Sequence, residues 1–300
     1  MTSSLSQYIK ESAAEIGFDA CGLAKAEPLG EEMTRFNSWL EKGYQAEMAY
    51  MSRHRSIRQN PEELQTGAKT VLVTLSNYYP QQVQAPDLPQ IAKYAYGRDY
   101  HKVLLKMHKA LLEKINSQQE CQGRIFVDSA PVMERTWAVK AGLGFIGKNG
   151  MLIHPKIGLH TLISGIMLDI EVDSYDSVIE RDCGRCRRCI DHCPNAAILD
   201  NKMVDANKCL SNLSIEHRGD FPEGIDLKNR LFGCDTCIDV CPYNKKKAHQ
   251  IKDFIPPPKR LELSHKDWEE LSEDEFKLLF SGTALKRAKF SGIKRNLNHI

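Results

Sequence analysis

Eight of the ten cysteines in this 300-residue chain follow one iron–sulfur pattern. The first block is Cys183-Gly-Arg-Cys186-Arg-Arg-Cys189-Ile-Asp-His-Cys193-Pro194. The second is Cys234-Asp-Thr-Cys237-Ile-Asp-Val-Cys241-Pro242, and Cys209 stands alone between the two. The C-x2-C-x2-C-x3-C-P run is the one that holds bacterial iron–sulfur clusters and sends its fourth cysteine to the other cluster. On that logic Cys183, Cys186, Cys189 and Cys241 bind one [4Fe–4S] cluster, and Cys193, Cys209, Cys234 and Cys237 bind a second. Zinc ribbons also use C-x2-C pairs, but they need neither a third cysteine two residues on nor the C-P ending. Disulfides suit small secreted chains, whereas this chain is long and its first ten residues lack the apolar core of a signal peptide. Cys21 and Cys121 lie outside the pattern and read as ordinary buried or free thiols.

Such clusters carry single electrons, so the module that holds them feeds something the rest of the chain binds. The length suggests two domains, and a hydrophobic fraction of 42% suffices for a normal core. No apolar run approaches the length of a membrane span, and thiolate ligands call for a reducing cytoplasm. The net charge of +2 neither requires nor excludes a nucleic-acid partner. Its distribution says more: Lys245-Lys246-Lys247 follows the second cysteine block, and Lys286, Arg287, Lys289, Lys294 and Arg295 crowd the tail with no acid among them.

The elements that position these residues read as follows. Leu5, Tyr8, Ile9, Ala13 and Ile16 share a helical face over 4–16, closed by Gly17. A second helix covers 31–40 and stops by Gly43. Residues 70–75 and 161–170 are apolar runs of strand length. Leu104, Met107, Leu111 and Ile115 mark a long helix starting near Asp99. Arg124 to Asp128 is a short strand ending in an acid, followed by a helix over 132–141. Strands alternating with helices give an α/β or α+β layer domain over 1–172. The cysteine module spans 173–250, and Pro256-Pro257-Pro258 leads into a helical tail over 251–300. That tail has two capping-box starts, at Ser264 and Ser272.

Two motifs mislead. Gly142-Leu-Gly144-Phe-Ile-Gly147 matches G-x-G-x-x-G, but a helical pattern precedes it and a strand follows, the reverse of a dinucleotide site. A loop whose backbone approaches something closely fits better. Asp99-Tyr100-His101 begins like the Asp-x-His-x-x-Gly segment of cobalamin mutases, but no glycine follows where it should. Pattern alone therefore yields an iron–sulfur redox protein with an unidentified second site.

Several stretches resemble the epoxyqueuosine reductase family: 93–101 (KYAYGRDYH), 127–149 (VDSAPVMERTWAVKAGLGFIGKN), 209–219 (CLSNLSIEHRG) and both cysteine blocks in order. The resemblance runs from about Phe18 to Arg295. It departs where the family's Asp-Thr-Gly-Pro appears as Asp128-Ser129-Ala130-Pro131, and in the lack of the helical-repeat extension of longer members. The resemblance implies an α+β protein: a nitroreductase-like α/β cobalamin-binding domain, similar to that of reductive dehalogenases, fused to a bacterial ferredoxin-like module with two [4Fe–4S] clusters. It implies reduction of epoxyqueuosine to queuosine at the wobble position of tRNA by cob(I)alamin, with Asp128 as proton donor.

Carried over by motif, the cobalamin contacts are Arg53, Tyr94, Lys148, Asn149, His154, Ser211 and Asp235. The tRNA contacts are His217, Arg218, Lys245, Lys246 and Lys247. The implied partner is an electron donor of the ferredoxin or flavodoxin class, and the implied state is a cytoplasmic monomer with no membrane contact. As plain residues, Asp128 would be an N-cap for the following helix, Tyr94 a core aromatic, and Lys148 and Arg53 surface charges. A carboxylic acid donates protons near neutrality only if burial lifts it above its solution value of about 3.9. Two other readings compete: a corrinoid iron–sulfur reductase of a small molecule, as in dehalogenases, and a plain ferredoxin-type electron carrier.

Overall fold

The computed structural model describes residues 4–300, so the first three positions of the expected first domain lie outside the described residues. Its central sheet contains β1 (Ala20–Lys25), which the sequence does not mark, and β2 (Thr70–Asn77), built on an apolar run that the sequence marks as a buried strand. Beside the short β3 (Gln90–Ile91), the chain then supplies β4 (Gly123–Phe126), the hairpin of β5 (Phe145–Ile146) and β6 (Leu152–Ile153), and β7 (Thr161–Leu168). The sheet order is β1-β2-β7-β4, and every pairing in it is antiparallel. The architecture is therefore α+β.

Helices cover both faces of this sheet. The residues of β2 are all buried, which explains why an antiparallel strand reads as an unbroken apolar run. On one face α1 (Leu5–Ile16) brings Ile9 and Ala13 onto Leu72 and Ile166. Its ends follow from sequence: the Ser4 side chain accepts from Gln7 N–H, and Gly17 takes a left-handed φ of 107°. On the other face α2 (Glu31–Glu41) packs Met33, Phe36 and Leu40 against Val71, Val73 and Leu75. The short α3 (Arg55–Gln59) and α4 (Pro61–Leu64) lead from α2 into β2. The long α5 (Tyr100–Gln118) joins α1, with Val103, Leu104, Leu111 and Ile115 in the same core, and α6 (Glu134–Lys140) joins α2 through Trp137 and Ala138.

The cysteine module contributes three short helices, α7 (Arg188–Asp191), α8 (Leu210–Ile215) and α9 (Thr236–Asp239), and strand β8 (Arg230–Phe232). Strand β8 pairs in parallel with β3, tying the module to the segment around Tyr94. The tail folds into α10 (His265–Glu270), α11 (Glu273–Phe280) and α12 (Lys289–Leu297), and both expected capping boxes form. Its Trp268, Phe280 and Ile293 share a core with Tyr96, Leu231 and Phe232. No helix among the described residues is long and apolar enough to cross a membrane.

The G-x-G-x-x-G segment runs from the end of α6 into the β5–β6 hairpin. A Cβ on Gly144, whose φ is 151°, would collide with the carbonyl of Ile153. Close backbone approach within the chain is what these glycines serve.

Candidate active site

The helix expected over 132–141 starts late, at Glu134, because the chain before it is bent into tight turns. Ser129 N–H donates to Val127 C=O at 2.6 Å across Asp128, whose φ is +56°, a strained γ-turn for a residue with a side chain. Glu134 turns back to this loop, and its Oε1 accepts from Asp128 N–H at 2.6 Å. The N-cap of α6 is Met133, so Asp128 does not cap the helix. Its side chain is instead 60% exposed, and the burial expected of a neutral donor is missing.

A histidine stands in its place as the protonated group. His101 lies between two carboxylates, with Nε2 3.2 Å from Asp128 Oδ2 and Nδ1 2.7 Å from Asp99 Oδ1. Burial works against a charge on His101, but Asp128 and Asp99 outweigh it and lift the imidazole to about 9. Hydrogen bonding to His101 holds Asp99 below the usual carboxylate range. Burial, followed by the charge of Asp128, pushes the Glu134 carboxyl up to about 8. Asp99 is also the N-cap of α5, accepting from His101 N–H at 3.1 Å. The tail fixes it in turn: Asp99 N–H donates to Gly282 C=O, and the backbone of Phe254 lies so close to Gly97 that a Cβ there would overlap it. Tyr100 stacks on His101 at 4.2 Å, and Tyr94 meets Tyr100 edge-on.

Beside this constellation Tyr50 is 42% exposed, with the Arg287 guanidinium 5.7 Å from its ring. Arg287 holds Glu216 by two bonds, of 2.6 and 3.0 Å. Arg58, whose guanidinium donates to Tyr50 C=O at 3.3 Å, leaves its Nε buried, and that atom and the buried Asn212 Oδ1 have no partner among the described residues. Unpaired buried groups of this kind are what a polar ligand satisfies.

The module brings its thiols together as the spacing expects. Cys183, Cys186, Cys189 and Cys241 line one cavity with Lys148 and Asn149. Burial raises the Cys209 thiol, and the next charges acting on it from outside its own helix are those of Cys234 and Cys193, which places these three together. Burial also raises Cys237, and after it the influence of Cys234 and Cys209. Among the described residues no three His, Cys, Asp or Glu side chains are close enough to grip a single metal ion. Thiols set around a shared cavity at wider spacing suit a four-iron cube.

The remaining expected residues separate into two kinds. Lys148 donates to Gly184 and Cys186 carbonyls at 2.9 Å, and Asn149 donates to Cys237 C=O at 3.2 Å, so both hold cysteine loops. Asp235 accepts from Lys93 N–H at 2.8 Å and from its ammonium at 3.3 Å. His154 Nδ1 accepts from Lys156 and Ile157 N–H. His217 meets Glu47 at 2.8 Å, and the Arg218 guanidinium donates to the carbonyls of Ile215, His217 and Arg287. Arg53 and Lys245, Lys246 and Lys247 are exposed, and Ser211 and Tyr94 are half-buried. Sequence reasoning missed Glu134, and it set His101 and Asp99 aside with the mutase motif they imperfectly match.

A family described as "Epoxyqueuosine reductase QueG, DUF1730" matches residues 58–129, and one described as a "4Fe-4S double cluster binding domain" matches 182–244. Layered domain and double-cluster module together define an iron–sulfur oxidoreductase. Proteins named epoxyqueuosine reductase from Cyclobacterium marinum and Pseudomonas aeruginosa are 42% and 38% identical to it; each alignment covers 98% of this chain, and 96% and 84% of the relatives. The chain belongs to the epoxyqueuosine reductase family. A solved epoxyqueuosine reductase with an epoxyqueuosine-modified tyrosine tRNA stem loop superimposes with a TM-score of 0.88 at 28% identity, over 98% of this chain and 80% of that one. The Bacillus subtilis epoxyqueuosine reductase, with its aspartate catalytic loop swung out of the active site, superimposes with a TM-score of 0.87 at 27% identity, over the same shares.

Proposed function

We propose that this chain reduces epoxyqueuosine to queuosine at the wobble position of tRNA, with two [4Fe–4S] clusters as electron carriers, cobalamin as the reducing cofactor and Asp128 as proton donor. The observation that carries the reading is the exposed Asp128 carboxylate on a strained turn, hydrogen-bonded to a protonated histidine, in a chain that also carries a double-cluster module. A passive electron carrier has no use for such a turn. The swinging aspartate loop described for the Bacillus subtilis relative supports a catalytic role for the loop.

Cobalamin in its cob(I) state supplies strong two-electron reduction. The groups that would hold it are Arg53, Tyr94, His154 and Ser211, joined by the orphaned Arg58 Nε and Asn212 Oδ1. Lys148, Asn149 and Asp235 have their polar atoms engaged, and serve the cofactor through the loops they hold. Exposed Lys245, Lys246 and Lys247 offer charges to tRNA phosphates, and Tyr50 offers a face for a splayed base. His217 and Arg218 shape that surface from their contacts with Glu47 and Arg287. An electron donor of the ferredoxin or flavodoxin class reloads the clusters in the cytoplasm.

Mass spectrometry of tRNA nucleosides from cells lacking the protein tests this reading. Epoxyqueuosine should accumulate in place of queuosine; normal queuosine would remove the proposal.

A further inference from the structure

Deoxygenating an epoxide to an alkene breaks two C–O bonds, takes up two electrons and releases the oxygen as water with two protons. The first cleavage leaves an alkoxide that takes a proton to become a hydroxyl. The second expels that hydroxyl, which needs another proton to leave as water. Asp128 holds one proton at most, so a single carboxyl facing the epoxide falls one short of the stoichiometry. The electrons come from the reductase activity itself.

The missing proton has a visible source. His101 Nε2 is 3.2 Å from Asp128 Oδ2, and its Nδ1 is 2.7 Å from Asp99 Oδ1, so the three side chains form one line of hydrogen bonds. Asp99 is fixed at both ends, by the first turn of α5 and by the Gly282 carbonyl of the tail. Tyr100 stacks on the imidazole and limits its rotation. We propose that Asp99 and His101 form a proton relay that recharges Asp128 between the two C–O cleavages, so that both protons pass through the one carboxyl that faces the substrate.

This inference rests on the reductase reading and adds a second role to the same site. His101 acts through Asp128 and is a positioning and relay residue. The titratable and charged groups facing it are Asp99 and Asp128 at its nitrogens, Glu134 from α6, the Tyr100 phenol against its ring, and Lys102 on its own helix, which acts mainly on Asp99. Together they leave the imidazole charged at neutral pH, with an Nε2 proton to pass to the Asp128 oxygen it faces. Glu134 lies off this line, because its carboxylate oxygen accepts the Asp128 backbone N–H.

The test is single-turnover deoxygenation of an epoxyqueuosine-modified tRNA stem loop by pre-reduced holoenzyme across pH, alongside stem-loop affinity. His101→Gln should slow turnover by about 10²-fold with affinity unchanged, and added imidazole should restore part of the rate. Asp99→Asn removes one of the carboxylates that keep His101 charged, so the alkaline limb expected near pH 9 should move down by about one unit. A His101→Gln rate within roughly threefold of wild type at every pH, or an Asp99→Asn limb in the wild-type place, overturns the relay. Those results leave the reductase reading intact so long as the wild-type protein makes queuosine. A wild-type protein that makes none overturns both.

Discussion

Asp128 and three ionisable groups linked to it, Glu134 and His101 directly and Asp99 through His101, differ sharply in charge. Asp99 is held as an anion, His101 as a cation, and Glu134 is kept neutral by burial and by the charge of Asp128. Asp128 alone reaches outward, on a left-handed turn that asparagine tolerates as well as aspartate. Asp128→Asn should therefore fold with an unchanged melting temperature while deoxygenation falls by at least about 10²-fold; full activity would dismiss the proton-donor role. Glu134 makes a separate prediction about stability. Its carboxyl keeps a proton in the folded state up to about pH 8 but loses it near 4.5 when unfolded, so folding weakens steadily as pH rises between those values and no further above them. Glu134→Gln keeps the acceptor for Asp128 N–H and has no proton to lose. The melting temperature of the variant relative to wild type should climb from pH 5 to pH 8 and then level; a flat difference would show that Glu134 is not held neutral.

At the scale of elements, the site exists because loops from distant parts of the chain are clamped together. Lys93 is the principal clamp between the Tyr94 segment and the module. Its ammonium lies 3.3 Å from Asp235 and 2.9 Å from Asp239, and the side chains of Lys93 and Asp235 are only 13% and 10% exposed. Removing one partner of a buried pair strands the other charge, so Lys93→Met should cost about 3 kcal/mol in chemical denaturation, and an unchanged midpoint would refute the clamp. Trp39 Nε1 reaches Val204 C=O at 2.8 Å, and Asn207 reaches Gly43 C=O at 2.9 Å, fastening the module from the other side. Little of this clamping was legible in the sequence. Helices α1, α2 and α5 and strands β2 and β7 were, because periodicity, caps and apolar runs are local signals. The antiparallel pairing of β2 with β7 was not: helices on both faces bury every residue of β2, which erases the alternation that usually marks antiparallel strands. The turn at Asp128 was misread as a helix start because its γ-turn and its bond to Glu134 depend on folded contacts.

At the scale of the whole molecule, the proposed electron and proton deliveries would meet where the module, the layered domain and the tail touch. The cysteine spacing announced the first half plainly, since eight thiols at fixed intervals are a covalent constraint written into the chain. The second half was nearly silent. His101 and Asp128 are 27 positions apart, Asp99 depends on a carbonyl of the distant tail, and the only local trace was a triplet resembling an unrelated cobalamin motif. Family membership says which reaction to test, and the geometry says which side chains to watch. The most direct measurement is turnover by anaerobically purified protein supplied with cobalamin, a low-potential reductant and an epoxyqueuosine-modified stem loop. Queuosine should appear at the expense of epoxyqueuosine; an unaltered modified nucleoside, with clusters and cobalamin bound and reduced, would contradict the account.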